Sequence, residues 1–490
     1  MKLIYDVEDK PAFRHNLVFA IQQLLAIIAA TLLVPTLVNS ISKTEMMSQA
    51  AALFGAGAGT LFYIWCTKKK SPVFLGSSFA FIAPLASACV FGYFGILVGV
   101  LFAALVYVVI AIVIHFVGTN WVDKLLPPVI IGPTVSLIGL SLCGSAIQNL
   151  NNTSGGDYNL LAILCGLITF AATVYASVKG SRTAKLIPFI IGIAAGYVAA
   201  SLFTVIGNLT GIEYMQLVDY TPLIDNFKNI TLESFVSVPK FTAIAAVKEG
   251  FKLDGTAISQ LALLFAPVAF VVLAEHIADH KNLGSVIERD LITEPGLEKT
   301  LLGDGVGSFI GAIFGGCPNT TYGESVGCVA ITGNASTSTI VLTAILAMLL
   351  SFFAPVIELI NTIPACVIGG ICIALYGFIA VSGLKMLQED VDLGDSKNLF
   401  VVSSILVTGI GGLELNLGKV TITGIATALI IGIITNLIVS EKKKTITCTA
   451  DCTPEQDAEA NEFAKAVLAA ANEEENIEET AVEENKDDIL

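Results

Sequence analysis

Apolar residues in this chain do not return to one face at helical spacing; they run on. "ILVGVLFAALVYVVIAIVIHFV" (96–117), "LIPFIIGIAAGYVAASLFTVI" (186–206) and "STSTIVLTAILAMLLSFFAPVIE" (336–358) are the strongest examples. A helix that is apolar all round belongs inside a large core or a bilayer, and a run of about 20 residues matches the hydrocarbon thickness. Runs of this kind predict about fourteen spans: 15–37, 47–66, 73–91, 96–117, 126–147, 158–178, 186–206, 256–278, 299–316, 318–333, 336–358, 364–385, 397–413 and 419–440. The expected fold is an all-α polytopic membrane protein.

The polar connections orient these spans. With the N-terminus inside, the inner loops hold Lys68, Lys69, Lys70, Lys124, Lys179, Arg182, Lys185, Lys281, Arg289, Lys299, Lys385, Lys397 and Lys442 to Lys444. The short outer loops hold little beyond Lys43 and Lys419. Positive charge on the inner side predicts both termini in the cytoplasm, with residues 1–14 and 441–490 there. Trp65, beside the lysines at 68–70, suits an interfacial anchor. One long polar stretch, 207–255, is expected outside and divides the spans into seven and seven. An odd number per half gives the halves opposite orientation, the geometry of an inverted repeat.

Composition agrees. The 490 residues are 54% hydrophobic and 14% charged, with a mean hydropathy of +0.79, against about a quarter charged in soluble domains. The net charge of −15 is mostly a property of the tail, since residues 451–490 hold 14 of the 41 acidic side chains and 2 of the 26 basic ones. That tail reads as solvated and disordered. No signal peptide is expected, because the first residues are mixed in charge. The ten cysteines read as small hydrophobes, and Cys448-x3-Cys452 lacks a second ligand pair for a metal.

Two segments break the rule for spans. "SPVFLGSSFAFIAP" (71–84) and "CPNTTYGESVGCVAITG" (317–333) carry Pro, Gly and hydroxyls where a helix should be continuous. They occupy spans three and ten, matching positions in the two halves. Irregular backbone at membrane depth survives only inside protein or beside a cavity, and paired interruptions point to a transporter's binding site. A half-helix starting there leaves free N–H groups at a positive dipole end, and Glu324 lies at such a start.

Ionisable groups mark a third element. In "LALLFAPVAFVVLAEHIADHKNL" (261–283), Glu275 and Asp279 are four apart and share a helical face, with His276 and His280 on a neighbouring one. Buried charge in a membrane is costly and usually functional. Glu275 and Glu324 are therefore expected to converge, with Asp279 one turn away, His276 as a packing or support residue, and His280 near the inner surface. The His276-x3-His280 spacing also suits two zinc ligands, but the protease order places Glu after the first His, and no third ligand clusters here; no metal or cofactor is expected. A channel would need a symmetric pore lining, which the sequence does not show.

At "LGSSFAFIAP" (75–84), "AEHIADH" (274–280), "PNTTYGESVGCVAITG" (318–333) and "GGICIALYGFIAVSG" (369–383) the chain resembles the nucleobase–ascorbate transporters, or nucleobase:cation symporter-2 family, in its uracil permease branch. The resemblance covers about residues 15–440. It implies a core domain (15–117 and 256–358) and a gate domain (126–206 and 364–440), short strands in spans three and ten that meet at the midplane, a homodimer, elevator-like motion and uracil or a related nucleobase as cargo. Symport with a cation, H⁺ or Na⁺, across the cell (inner) membrane is implied, with a purine or xanthine symporter as the alternative; no nucleic acid is involved. Carried over by motif, Glu275 and Glu324 bind the ring, and backbone amides at Phe79 and Gly323 bind its carbonyls. Ser78, Tyr322 and Tyr376 line the pocket. Proton coupling falls to Glu275 or Asp279, and Gln23, His276, Ser325, Gly327 and Thr332 support the site. Span one carries Gln22-Gln23 where the family commonly has Gln-His.

Overall fold

A computed structural model describes residues 3–151, 158–243, 246, 253–417 and 420–440. The acidic tail, with Cys448 and Cys452, lies outside the described residues.

The first half runs through α1 (Phe13–Ser42), α2 (Gln49–Cys66), β1 (Leu75–Ser77), a 3-10 turn (Phe79–Phe81), α3 (Ile82–Ala88) and α4 (Gly92–Val117). It continues with α5 (Asn120–Leu125), α6 (Pro128–Ser141), α7 (Cys143–Asn151), α8 (Leu160–Lys179) and α9 (Pro188–Thr210). Between the halves stands α10 (Thr221–Lys228). The second half runs through α11 (Gly255–Ile287), α12 (Leu297–Ile313), β2 (Asn319–Thr321), α13 (Gly323–Thr332), α14 (Thr337–Leu350) and α15 (Ala354–Asn361). It ends with α16 (Ala365–Asp390), α17 (Ser396–Ile410), β3 (Leu415–Leu417), β4 (Val420–Ile422) and α18 (Gly424–Val439).

Among the described residues, eight helical stretches are long and apolar enough to cross a membrane, and α14, α17 and α18 are shorter apolar helices. Several spans differ in detail from the expectation. The 256–278 segment extends to Ile287 as a 33-residue helix. The 336–358 run, among the strongest in sequence, breaks at Ser351–Phe353 into α14 and α15. Hydropathy alone does not see that break: Pro355 lies in the first turn of α15, where a missing N–H is tolerated. A similar interruption at Leu142 separates α6 from α7.

The helices pack in two bundles. In the first, α1, α2, α4, α11, α12 and α14 surround β1, β2 and α13; in the second, α6, α7, α8, α9, α16, α17 and α18 pack together. Small residues set the closest crossings, and a side chain on Gly55 of α2 would meet the Gly311 backbone of α12 at 2.8 Å. Large apolar side chains such as Val109, Phe116, Leu202 and Ile438 point outward, as lipid-facing surfaces require. The described cysteines are free thiols, and Cys89, Cys165, Cys317, Cys328, Cys366 and Cys372 are buried, in keeping with a packing role.

Candidate functional site

The two interrupted segments solve their backbone problem by pairing with each other. β1 and β2 are antiparallel, with Leu75 opposite Thr321, Gly76 opposite Thr320 and Ser77 opposite Asn319. The Ser78 N–H extends the pairing to the Pro318 carbonyl at 2.9 Å. All six strand residues are buried, so few other acceptors are available to their amides.

Side chains from three helices lock this ribbon. The Asn319 amide donates to the Gly55 carbonyl at 3.0 Å and the Gly307 carbonyl at 3.2 Å. Thr60 Oγ1 accepts the Leu75 N–H at 2.9 Å. The Tyr322 hydroxyl donates to the Ser77 carbonyl at 2.8 Å. Its ring lies so close over β1 that a Cβ on Gly76 would stand 2.2 Å from it. Tyr322 is thus a buried brace for the ribbon. Gln23 Nε2 donates to Ser325 Oγ at 2.6 Å, and that oxygen also accepts the Phe74 N–H at 3.0 Å. The expected support pair therefore joins α1 and α13 to the approach to β1.

A helix start follows each strand. Ser78 precedes the turn at Phe79, Tyr322 precedes α13 at Gly323, and neither start has a side-chain cap. First-turn N–H groups have no intrahelical acceptor and carry the positive end of the dipole. Gly323 is exposed and Glu324 is partly exposed.

α11 brings its acidic face to this point. Asp279 Oδ2 accepts from Thr321 Oγ1 at 2.8 Å, and Asp279 Oδ1 would lie 3.8 Å from a Cβ on Gly323. Glu275 Oε2 is buried without a hydrogen-bond partner, and Glu275 lies within electrostatic reach of Asp279, Asp304 and Glu324. Across the bundles, Phe79 and Tyr376 meet edge to face, with centroids 6.1 Å apart. Glu275, Asp279, Glu324, Gly323, Phe79 and Tyr376 thus gather where the two bundles face each other. Ser78 is buried beside them. Gly327 faces open space, and Thr332 sits at the far end of α13, bonded to the Cys328 carbonyl at 2.7 Å.

A model of the permease family that includes xanthine and uracil permeases matches residues 14–418. The uracil permease of Bacillus caldolyticus is 37% identical over 89% of this chain and 95% of its own length. The chain belongs to this permease family. The uracil permease of Escherichia coli K12 is 34% identical, over 88% of this chain and 93% of its own. Among solved structures, the transmembrane domain of a cyanobacterial bicarbonate transporter aligns with a TM-score of 0.53 at 14% identity, covering 88% of this chain and all of that one. SLC26A9 aligns with a TM-score of 0.55 at 11% identity, over 88% and 66% of the two chains. These last two likenesses concern the fold. The permease is a multi-pass membrane transporter, not an enzyme.

Two of the permease's histidines sit in a buried hydrogen-bonded cluster. His280 is 1% exposed, with Nε2 2.7 Å from the Tyr63 hydroxyl and Nδ1 2.8 Å from the His276 carbonyl. His276 is fully buried, with Nδ1 3.0 Å from Asp304 Oδ2 and Nε2 3.0 Å from Thr300 Oγ1. Asp304 is the residue that the sequence reading missed. Its signal was available: a single acidic residue in the otherwise apolar, glycine-rich run "LLGDGVGSFIGAIF" (301–314).

Proposed function

We propose that this permease carries uracil across the cell membrane together with a cation. One observation carries the reading: the acidic face of α11 meets two uncapped helix starts across a buried two-stranded ribbon. Uracil is a small flat ring with two N–H donors and two carbonyls. Glu275 and Glu324 supply acceptors for the N–H groups, and the amides at Phe79 and Gly323 supply donors for the carbonyls. The edge-to-face Phe79–Tyr376 pair offers aromatic walls for a planar ring. Crowded carboxylates favour a positive charge arriving with the neutral substrate, and Asp279, anchored by Thr321, is the coupling partner of Glu275.

The first bundle is the moving core and the second the gate, in an elevator-type cycle within a homodimer. The lysines and arginines of the inner loops favour both termini in the cytoplasm. The relatives named above are uracil permeases, which favours uracil over purines.

The test is radiolabelled uracil uptake into proteoliposomes, with and without gradients of pH and of Na⁺, for the natural chain and Glu275→Gln. Replacing a charge-assisted acceptor should cut uptake about 10- to 100-fold. Unchanged uptake in Glu275→Gln overturns the site. Preference for xanthine overturns the substrate, and insensitivity to both gradients overturns the symport.

A further inference from the structure

α13 carries Glu324 at one end, and the other end is gripped by the second bundle. Arg182, in the turn after α8, donates from Nη2 to the Ile331 carbonyl at 2.9 Å and to the Thr332 carbonyl at 3.2 Å, and from Nε to Ile331 at 3.3 Å. The last carbonyls of a helix lack intrahelical donors and form its negative end, so a guanidinium is well matched to them. Beside it, Leu186 of the second bundle packs with Ala26 of α1 and Cys328 of α13, flanked by Ile187 and Ile331. One turn nearer the site, Gly327 faces open space, and Gly323 beyond it is exposed. Along one side of a ten-residue helix the gap between bundles is therefore open near Glu324 and closed at Arg182. On the other side the first bundle holds the same end itself, through the Ile4 N–H on the Gly333 carbonyl at 2.6 Å.

We infer that Arg182 is a positioning residue that latches the second bundle to the end of α13 and seals the inner side of the gap between the bundles. Opening toward the cytoplasm then requires the guanidinium to leave the Ile331 and Thr332 carbonyls and Leu186 to part from Cys328. This rests on the transporter reading above and on its orientation, but not on the identity of the substrate.

The native thiol of Cys328 is the probe, because it is buried within the seal. The experiment measures peptide-resolved maleimide labelling of the full chain in inside-out membrane vesicles, for the natural protein, Arg182→Ala, Arg182→Lys and Leu186→Ala. Arg182→Ala and Leu186→Ala should each speed Cys328 labelling about fivefold. Cys165, Cys317 and Cys372, buried away from the seal, should not change. Arg182→Lys keeps the charge but not the fork that reaches both carbonyls, and its rate should fall between the natural rate and that of Arg182→Ala. An unchanged Cys328 rate overturns the latch. A rise shared by all buried thiols also overturns it, since it reports general loosening. If Arg182→Ala fails to fold, Leu186→Ala decides. Uracil uptake on the same preparations separates the two readings, because a failed uptake with a Cys328-specific response refutes the substrate and leaves the latch standing.

Discussion

Gly76 shows how little room the centre of this permease leaves. Its missing side chain is occupied by the Tyr322 ring, and a methyl there would collide with ring carbons at 2.2 and 2.3 Å. Gly76→Ala should therefore destabilise the fold by about 1–3 kcal/mol, the usual cost of overpacking, and lower uptake by displacing Tyr322 and the start of α13. Thermal melting and uptake on one preparation check both effects; a wild-type melting curve would contradict the packing. Asp304 makes a second case. Asp304→Ala strips His276 of its Nδ1 partner in a site with no exposed surface, and leaving a buried polar group unpaired costs about 1–3 kcal/mol. Asp304→Asn, which keeps a polar partner, should lose less. At this scale the sequence was informative where chemistry was unusual: Glu275, Asp279 and Glu324 stood out as carboxyls in apolar surroundings. It was silent on pairings. Nothing in the residues near His276 indicates that its partner is 28 positions away.

The elements tell a related story. The interrupted segments were legible because Pro, Gly and hydroxyls in a span contradict its apolar neighbours. That they pair as antiparallel strands, with Asn319, Thr60 and Tyr322 as braces, followed from the need to satisfy backbone amides but not from any local propensity. A further strap was not legible at all. Tyr5 and Val7 lie along the turn after α13, where their carbonyls accept the N–H groups of Ala335 at 2.9 Å and Thr337 at 3.0 Å. Asp6 fastens this strap. The Val7 N–H holds the Asp6 carboxyl below the usual range against the opposing effect of burial, and the Arg289 guanidinium at 2.7 Å adds to the lowering. A carboxyl with a depressed folded-state pKa stabilises the fold above its unfolded value, about pH 4, and that contribution is lost as pH falls through the lower folded value. The strap should thus hold at neutral pH and loosen in acid. Amide exchange at Ala335 and Thr337 should speed up as pH drops below about 4 beyond the intrinsic pH dependence, and Asp6→Asn should show fast exchange already at neutral pH. Equal protection in Asp6→Asn would refute the fastening.

For the whole molecule, residues Met1–Val439 form one compact unit. A chain ending at Ser440 should keep its melting temperature within about 2 °C, less than the shift expected for 1 kcal/mol in a domain of 150–250 residues, and should keep its uptake. A large loss would show that the tail braces the transporter. The division of the spans between two packed bundles, with the site where they face each other, is a property of this scale, and so is the grip of Arg182 on α13.

The sequence by itself determined that this protein lives in a membrane, because uninterrupted apolar runs have no other stable solvent. It also determined where the runs fail and which carboxyls cannot be there by accident. The tertiary structure decided the rest: the register in which the two failures pair, that Asp279 reaches Thr321, that His276 finds Asp304, and that one strong span breaks at Ser351. The reason is physical. Burying a charge or an unpaired amide is costly wherever it sits in the chain, so the cost is visible in sequence. The partner that relieves it is selected by proximity in space, across hundreds of residues, and becomes visible only when the helices are packed.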